Sequence, residues 1–245
     1  GTLTEARMKL SGLFTHAGIE AQKEHPEGDN RFLLDLAVLQ SDAYVDQGKK
    51  GEHVSQLVVH GRPIEKAIVQ AGLESGVTQE VLYKEHERID YLQFTSERRF
   101  GASLHKNQGK NSNRMIIAGE PEKLLDAAAF FYRNGEKVKM NDKEREHLLA
   151  VLQEHAALGK RLIGVVYRDC RVQSFAEVEE DAELLQNLVF TGFVAFEDPI
   201  RSDVAEAIHT VHTAHARIIM LTGDNPATAR HIAMETGIVQ HGDEL

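Results

Sequence analysis

Two spacings of apolar residues divide the chain. Phe32, Leu33, Leu36, Ala37 and Leu39 recur at helical intervals and predict a helix over 31–39, and Leu148, Leu149, Leu152, Ala156 and Leu158 predict another over 143–158 that Gly159 closes. Two further helices announce themselves by their starts. Gly61-Arg62-Pro63 places a proline in the first turn with Glu65 near the positive end, and Gly119-Glu120-Pro121-Glu122 repeats the device. Between them lie strand patterns. Residues 89–104 read as two alternating strands about a polar turn, hence a hairpin, while 114–118, 160–168 and 188–196 are apolar enough for buried strands. Residues 8–19 read as strand and linker.

The C-terminal part has the same alternation. A helix over 203–214 precedes a short apolar run, Ile218 to Leu221, which predicts a buried strand, and a helix over 229–237 follows. Thr222-Gly223-Asp224-Asn225 between strand and helix form a small-residue turn where a phosphate meets backbone N–H groups and a helix N-terminus. A plain turn before a helix fits the same residues. His209, His212 and His215 step along the preceding helix, but no acid or cysteine completes a metal set, so a solvated face accounts for them.

Composition narrows the class. With 245 residues, 42% hydrophobic and 27% charged, the chain suits one or two globular domains. Its net charge of -10 argues against nucleic acid or an anionic membrane surface as the main partner. The single cysteine, Cys170, has no disulfide partner, and no apolar stretch reaches the ~20 residues of a membrane helix.

The opening Gly1-Thr2-Leu3-Thr4-Glu5 is similar to the end of the DKTGTLT motif of P-type cation-transporting ATPases, and Thr222-Gly223-Asp224-Asn225 resembles that family's TGDN segment. Between them the chain resembles the pumps' large cytoplasmic insert, and the calcium-pump-like branch most closely. The resemblance implies an α/β fold in which a nucleotide-binding domain, a mainly antiparallel sheet flanked by helices, is inserted into a partial HAD-like (Rossmann-type) phosphorylation domain. On it, residues 1–6 begin the phosphorylation domain, 7–196 are the nucleotide-binding domain and 197–245 resume the first, incompletely. Asp198-Pro199-Ile200-Arg201 resembles the pumps' DPPR, and residues 6–8 and 197–201 are expected to form a two-stranded hinge.

Site residues follow from the same likeness. Glu65 matches the final acid of GDPTE or GEATE and would hold the adenine end of ATP, although Arg62 stands where that motif has an acid. Phe94 would be the aromatic platform under adenine, with a core aromatic as its alternative role. Of Arg98 and Arg99, one would reach phosphates and the other pair with Glu97. Gly119 would line the pocket, beside Ala118 where the family's KGAPE has lysine, and Arg161 and Arg201 would complete the nucleotide contacts. Thr222, Gly223 and Asp224 would surround the transferred phosphoryl group. The implied cofactors are ATP and Mg²⁺, and the implied partners are the transmembrane and actuator domains of a pump, whose cytoplasmic portion this would be. The motif's aspartate nucleophile is not among these residues, so nucleotide binding without phosphoenzyme formation is expected. Two alternatives remain, a free-standing HAD-like nucleotide-binding protein and a regulatory interaction module.

Overall fold

The computed structural model describes residues 2–16, 18–21, 25–46, 57–107, 111–178, 180–222 and 226–239. Its strands are β1 (Lys9–Thr15), β2 (Gly18–Ala21), β3 (Tyr44–Val45), β4 (Val59–His60), β5 (Arg88–Leu92), β6 (Phe100–Lys106), β7 (Asn113–Gly119), β8 (Ala128–Arg133), β9 (Glu136–Lys139), β10 (Arg161–Cys170) and β11 (Leu188–Glu197). The helices are α1 (Gly28–Gln40), α2 (Pro63–Glu74), α3 (Gln79–Glu85), α4 (Pro121–Ala127), α5 (Asp142–Ala157), α6 (Asp181–Leu184), α7 (Val204–Thr213) and α8 (Pro226–Glu235).

One sheet organises the chain, in the order β2-β1-β11-β10-β7-β6-β5 with every neighbouring pair antiparallel. β8 lies parallel to the first half of β11 and carries β9 on its outer edge. β11 is central, buried from Leu188 to Phe196, which is why its sequence is one apolar run rather than an alternating one.

Alternation on β7 shows the two layers. Met115 and Ile117 point into a core with α4 and α5, among Phe100, Leu124, Leu148, Leu152 and Phe193. Ile116 and Ala118 point to the opposite face, packed by α1 and α2 through Leu33, Leu36, Ala37 and Ile68. The mixed α/β architecture, a mainly antiparallel sheet flanked by helices, is therefore as expected.

At the edge of this body two chain segments run side by side, and the residues paired with 199–201 are 3–5, not the expected 6–8. Thr4 bridges Ile200, the Glu5 N–H donates to the Pro199 carbonyl at 2.8 Å, and the Arg201 N–H donates to the Leu3 carbonyl at 3.0 Å. The Asp198 carboxylate accepts from the Thr4 hydroxyl at 2.7 Å and from the Arg7 N–H at 3.1 Å.

Beyond them the structure corrects the sequence reading. Residues 218–221 form no strand, and Ile219 and Leu221 are 71% and 92% exposed. An apolar run becomes a buried strand only where flanking strands take its backbone groups, and none of the described residues lies alongside as one.

Candidate functional site

The site residues collect where β5 leaves the sheet and α2 begins. Pro63 opens α2 and leaves the first-turn Glu65 against the sheet, its side chain 12% exposed. The phenol of Tyr91 on β5 lies 3.3 Å from Glu65 Oε1. Burial, followed by the Glu65 carboxylate, pushes Tyr91 up to about 12, so the phenol stays protonated at neutral pH.

Phe94, just past β5, is 40% exposed and not part of the core. Its backbone rests on Gly101 of β6, where a Cβ would come within 3.1 Å of the Phe94 nitrogen and 3.2 Å of the Gln40 side-chain nitrogen. Gly101 pairs with Ala118, and Ala118 with Val165, so a row of small and apolar residues underlies this end of the sheet.

Arg62 occupies the space in front. Its guanidinium donates to both Glu65 oxygens, through Nε at 3.1 Å and through Nη2, and lies 5.9 Å from the centre of the Phe94 ring. The hydrogen bond to Glu65 raises the Arg62 pKa above its ordinary value. The sequence shows Arg62 only as a lost acid, whereas the structure sets its guanidinium over the Phe94 ring.

Gly119 ends β7 opposite Phe100 and Gly164. A Cβ there would stand 2.4 Å from the Arg99 carbonyl oxygen and 2.6 Å from Phe100 Cα, so only glycine lets the Phe94–Arg99 turn close onto β7. That turn ends in Arg99 at φ +62°, held by an Arg99 N–H to Thr95 carbonyl bond of 2.7 Å.

The partners of the two arginines differ from the expected Glu97. Arg98 Nε donates to the Asp181 carboxylate at 2.9 Å and its Nη1 to the Gln93 carbonyl at 3.1 Å, while Arg99 Nη1 donates to Glu120 at 2.7 Å. Arg99 is the more exposed of the two.

Arg161 opens β10 on the same face as Ala118, three residues and about 10 Å from the Gly164–Gly119 pair, and is exposed. Arg201 sits apart, in the paired segments near Asp198, where its Nε donates to the Thr4 carbonyl at 3.1 Å. Thr222 is exposed on coil, and Gly223 and Asp224 lie outside the described residues. The structure thus groups Glu65, Phe94, Arg99 and Gly119, with Arg161 on the flank. Sequence reasoning passed over Tyr91, Gln40 and Gly101. Gly101, a glycine inside a strand pattern, was the available signal of a close backbone approach.

The family model described as P-type ATPase, cytoplasmic domain N, matches residues 30–203. Over 262 aligned positions the chain is 29% identical to the sodium/potassium-transporting ATPase subunit alpha-B of Artemia franciscana, covering 100% of this chain and 26% of that protein. It is 28% identical to the potassium-transporting ATPase alpha chain 1 of Xenopus laevis, covering 100% and 25%. It is 26% identical to the sodium/potassium-transporting ATPase subunit alpha-3 of Gallus gallus, covering 100% and 26%. The chain therefore spans about a quarter of the length of these curated relatives. Their names give the expected calcium-pump-like branch no support. With the matched family model covering most of its length, the chain belongs to the P-type ATPase cytoplasmic domain N family.

Proposed function

We propose that residues 7–196 bind ATP on the Phe94 shelf, as the nucleotide-binding part of a pump that couples ATP hydrolysis to cation transport. The observation that carries this reading is the convergence of an exposed aromatic ring, a carboxylate and a close-packed glycine on one end of the sheet. In it, Phe94 stacks against the adenine ring, Glu65 accepts from the exocyclic amino group, and Arg99 and Arg161 face the phosphates. The paired segments about Thr4 and Ile200 act as the hinge to a phosphorylation domain made of residues 1–6 and 197–245, and the Thr222-Gly223-Asp224 loop handles the transferred phosphoryl group there. Transmembrane and actuator domains of the pump are the further partners. The relatives' names point to a monovalent cation as cargo in preference to calcium.

Mg²⁺ would accompany the nucleotide and shield its charge when bound. Among the described residues no group of three His, Cys, Asp or Glu side chains forms a metal site, and the Asp224 loop lies outside them. Ala118 leaves the pocket floor without the family's lysine, so affinity is expected near millimolar, about -4 kcal/mol.

Calorimetric titration with ATP tests the reading. Loss of base stacking removes roughly 1–3 kcal/mol, so Phe94→Ala should bind at least about fivefold more weakly with unchanged circular dichroism. Equal affinity would favour a regulatory module built on the same fold, the reading for which Ala118 and the closed Arg62–Phe94 contact speak.

A further inference from the structure

A second concavity lies at the opposite end of the same sheet face, and no feature of the nucleotide reading uses it. Register fixes its position. Ala118 and Val165, next to the Phe94 shelf, lead along β7 and β10 through Ile116 and Tyr167 to the facing pair Arg114 and Asp169. The cavity there has a volume of about 610 Å³, within the range of small-molecule sites, and is walled by Arg114, Tyr132, Lys137, Tyr167, Asp169 and Asn187. α1, 13 residues and about 20 Å long, runs between the two ends. Near its start Phe32 backs two of the cavity's walls, 4.4 Å from the Tyr132 ring and 5.5 Å from the Tyr167 ring, and Gln40 at its other end reaches Gly101.

The wall is built and not incidental. The Asp29 carboxylate accepts the Asn134 and Gly135 N–H groups at 2.7 and 3.1 Å and so fixes the β8–β9 turn that presents Tyr132 and Lys137. Arg114 is held over Tyr167 at 4.7 Å and bonded to Asp169 through Nε at 2.9 Å and Nη2 at 3.4 Å, so that among the described residues Nη1 has no hydrogen-bond partner. Lys137 pairs with no carboxylate among the described residues and lies 3.6 Å over the Phe130 ring. The phenol of Tyr167 belongs to a nine-tenths buried residue that walls the cavity. Burial pushes that phenol up to about 12, so it remains a donor.

We infer that this cavity binds a small organic phosphate carrying a planar ring. Arg114, Lys137 and the Tyr167 hydroxyl supply donors and charge to the phosphate, and Tyr132 and Tyr167 supply aromatic surface for the ring. A phosphate dianion suits two cations, one of which already has a carboxylate partner, better than a neutral ligand does. The inference stands independently of the Phe94 shelf.

Tyr132, Lys137, Tyr167 and Arg114 wall the cavity, and their backbone amide resonances report on it. The experiment titrates the protein with phenyl phosphate or with inorganic phosphate and follows those resonances. Phenyl phosphate should give saturable shifts at these residues, with inorganic phosphate saturating at concentrations several-fold higher. Lys137→Glu, on an exposed hairpin position, should abolish binding, Tyr167→Phe should weaken it several-fold, and Phe94→Ala should leave it intact. No saturable shift with phenyl phosphate, or binding unchanged in Lys137→Glu, would overturn the inference. Equal affinity for inorganic and phenyl phosphate would overturn its aromatic half, and binding lost in Phe94→Ala would assign the effect to the other site.

Discussion

If ATP binds on the proposed Phe94 shelf, replacing Arg62 with alanine should strengthen that binding, although the residue is a cation and the ligand an anion. A purine stacked on Phe94 and covered by the guanidinium needs roughly 7 Å between them, two contact distances of about 3.5 Å, and Arg62 stands at 5.9 Å. Arg62 must therefore leave before the base can stack. Leaving costs the ion pair with Glu65, about 0.5–1 kcal/mol for a pair with one half-exposed partner, and a cation–π contact of about the same size. The sum, roughly 1–2 kcal/mol, corresponds to about a 5- to 30-fold gain in affinity when Arg62→Ala removes the occupant beforehand. Glu65 keeps its Tyr91 contact and is free to receive the base. Calorimetric titration of both proteins at two salt concentrations reads the difference, and Arg62→Lys controls for charge, since lysine keeps the cation without the bidentate grip. Weaker binding by Arg62→Ala, with Arg62→Lys near the parent, would refute the reasoning and make Arg62 a phosphate ligand.

Three further outcomes follow from the geometry. Gly119→Ala should cost on the order of 1–3 kcal/mol, lowering the thermal midpoint by roughly 3–10 °C, because its Cβ would meet the Arg99 oxygen at 2.4 Å; an unchanged midpoint would show that β6 and β7 part freely. His105, fully buried between the His86 carbonyl and the Ser103 hydroxyl, has its pKa lowered by burial to about 4. The unfolded chain therefore binds this proton first, and stability that is complete above about pH 6.5 should fall by on the order of 3 kcal/mol as pH drops to about 4, a slope that urea midpoints should show and His105→Asn should flatten. Asp198→Ala removes the acceptor of the Arg7 N–H and the Thr4 hydroxyl, so amide exchange at Arg7 should quicken roughly five- to tenfold with the sheet amides unaffected.

How much of this was legible in the sequence depended on whether a local pattern carried its own explanation. The apolar run 188–196 had to be buried on both faces wherever it went, and Pro63 and Pro121 announced their helices by chemistry that needs no tertiary partner. The β8–β9 hairpin was missed although Asn134-Gly135 carries its turn signal, because β9 is wholly exposed and offers no apolar alternation. Residues 218–221 failed in the opposite way, since their apolar pattern was clear but a strand is a property of neighbours. At the site, Glu65, Phe94 and Gly119 came from a family likeness and the fold brought them together. The Arg62–Phe94 contact was not readable, because 32 residues separate its members and no periodicity links them.

The central claim, that the shelf at Phe94 is where nucleotide binds, is tested most directly by following backbone amide resonances during titration with ATP. The account predicts saturable shifts concentrated at Glu65, Tyr91, Phe94, Gly101 and Gly119, absent or much reduced in Phe94→Ala. Shifts confined to other parts of the sheet, or no saturable shift at these five residues at ATP concentrations of several times about 1 mM, would contradict it.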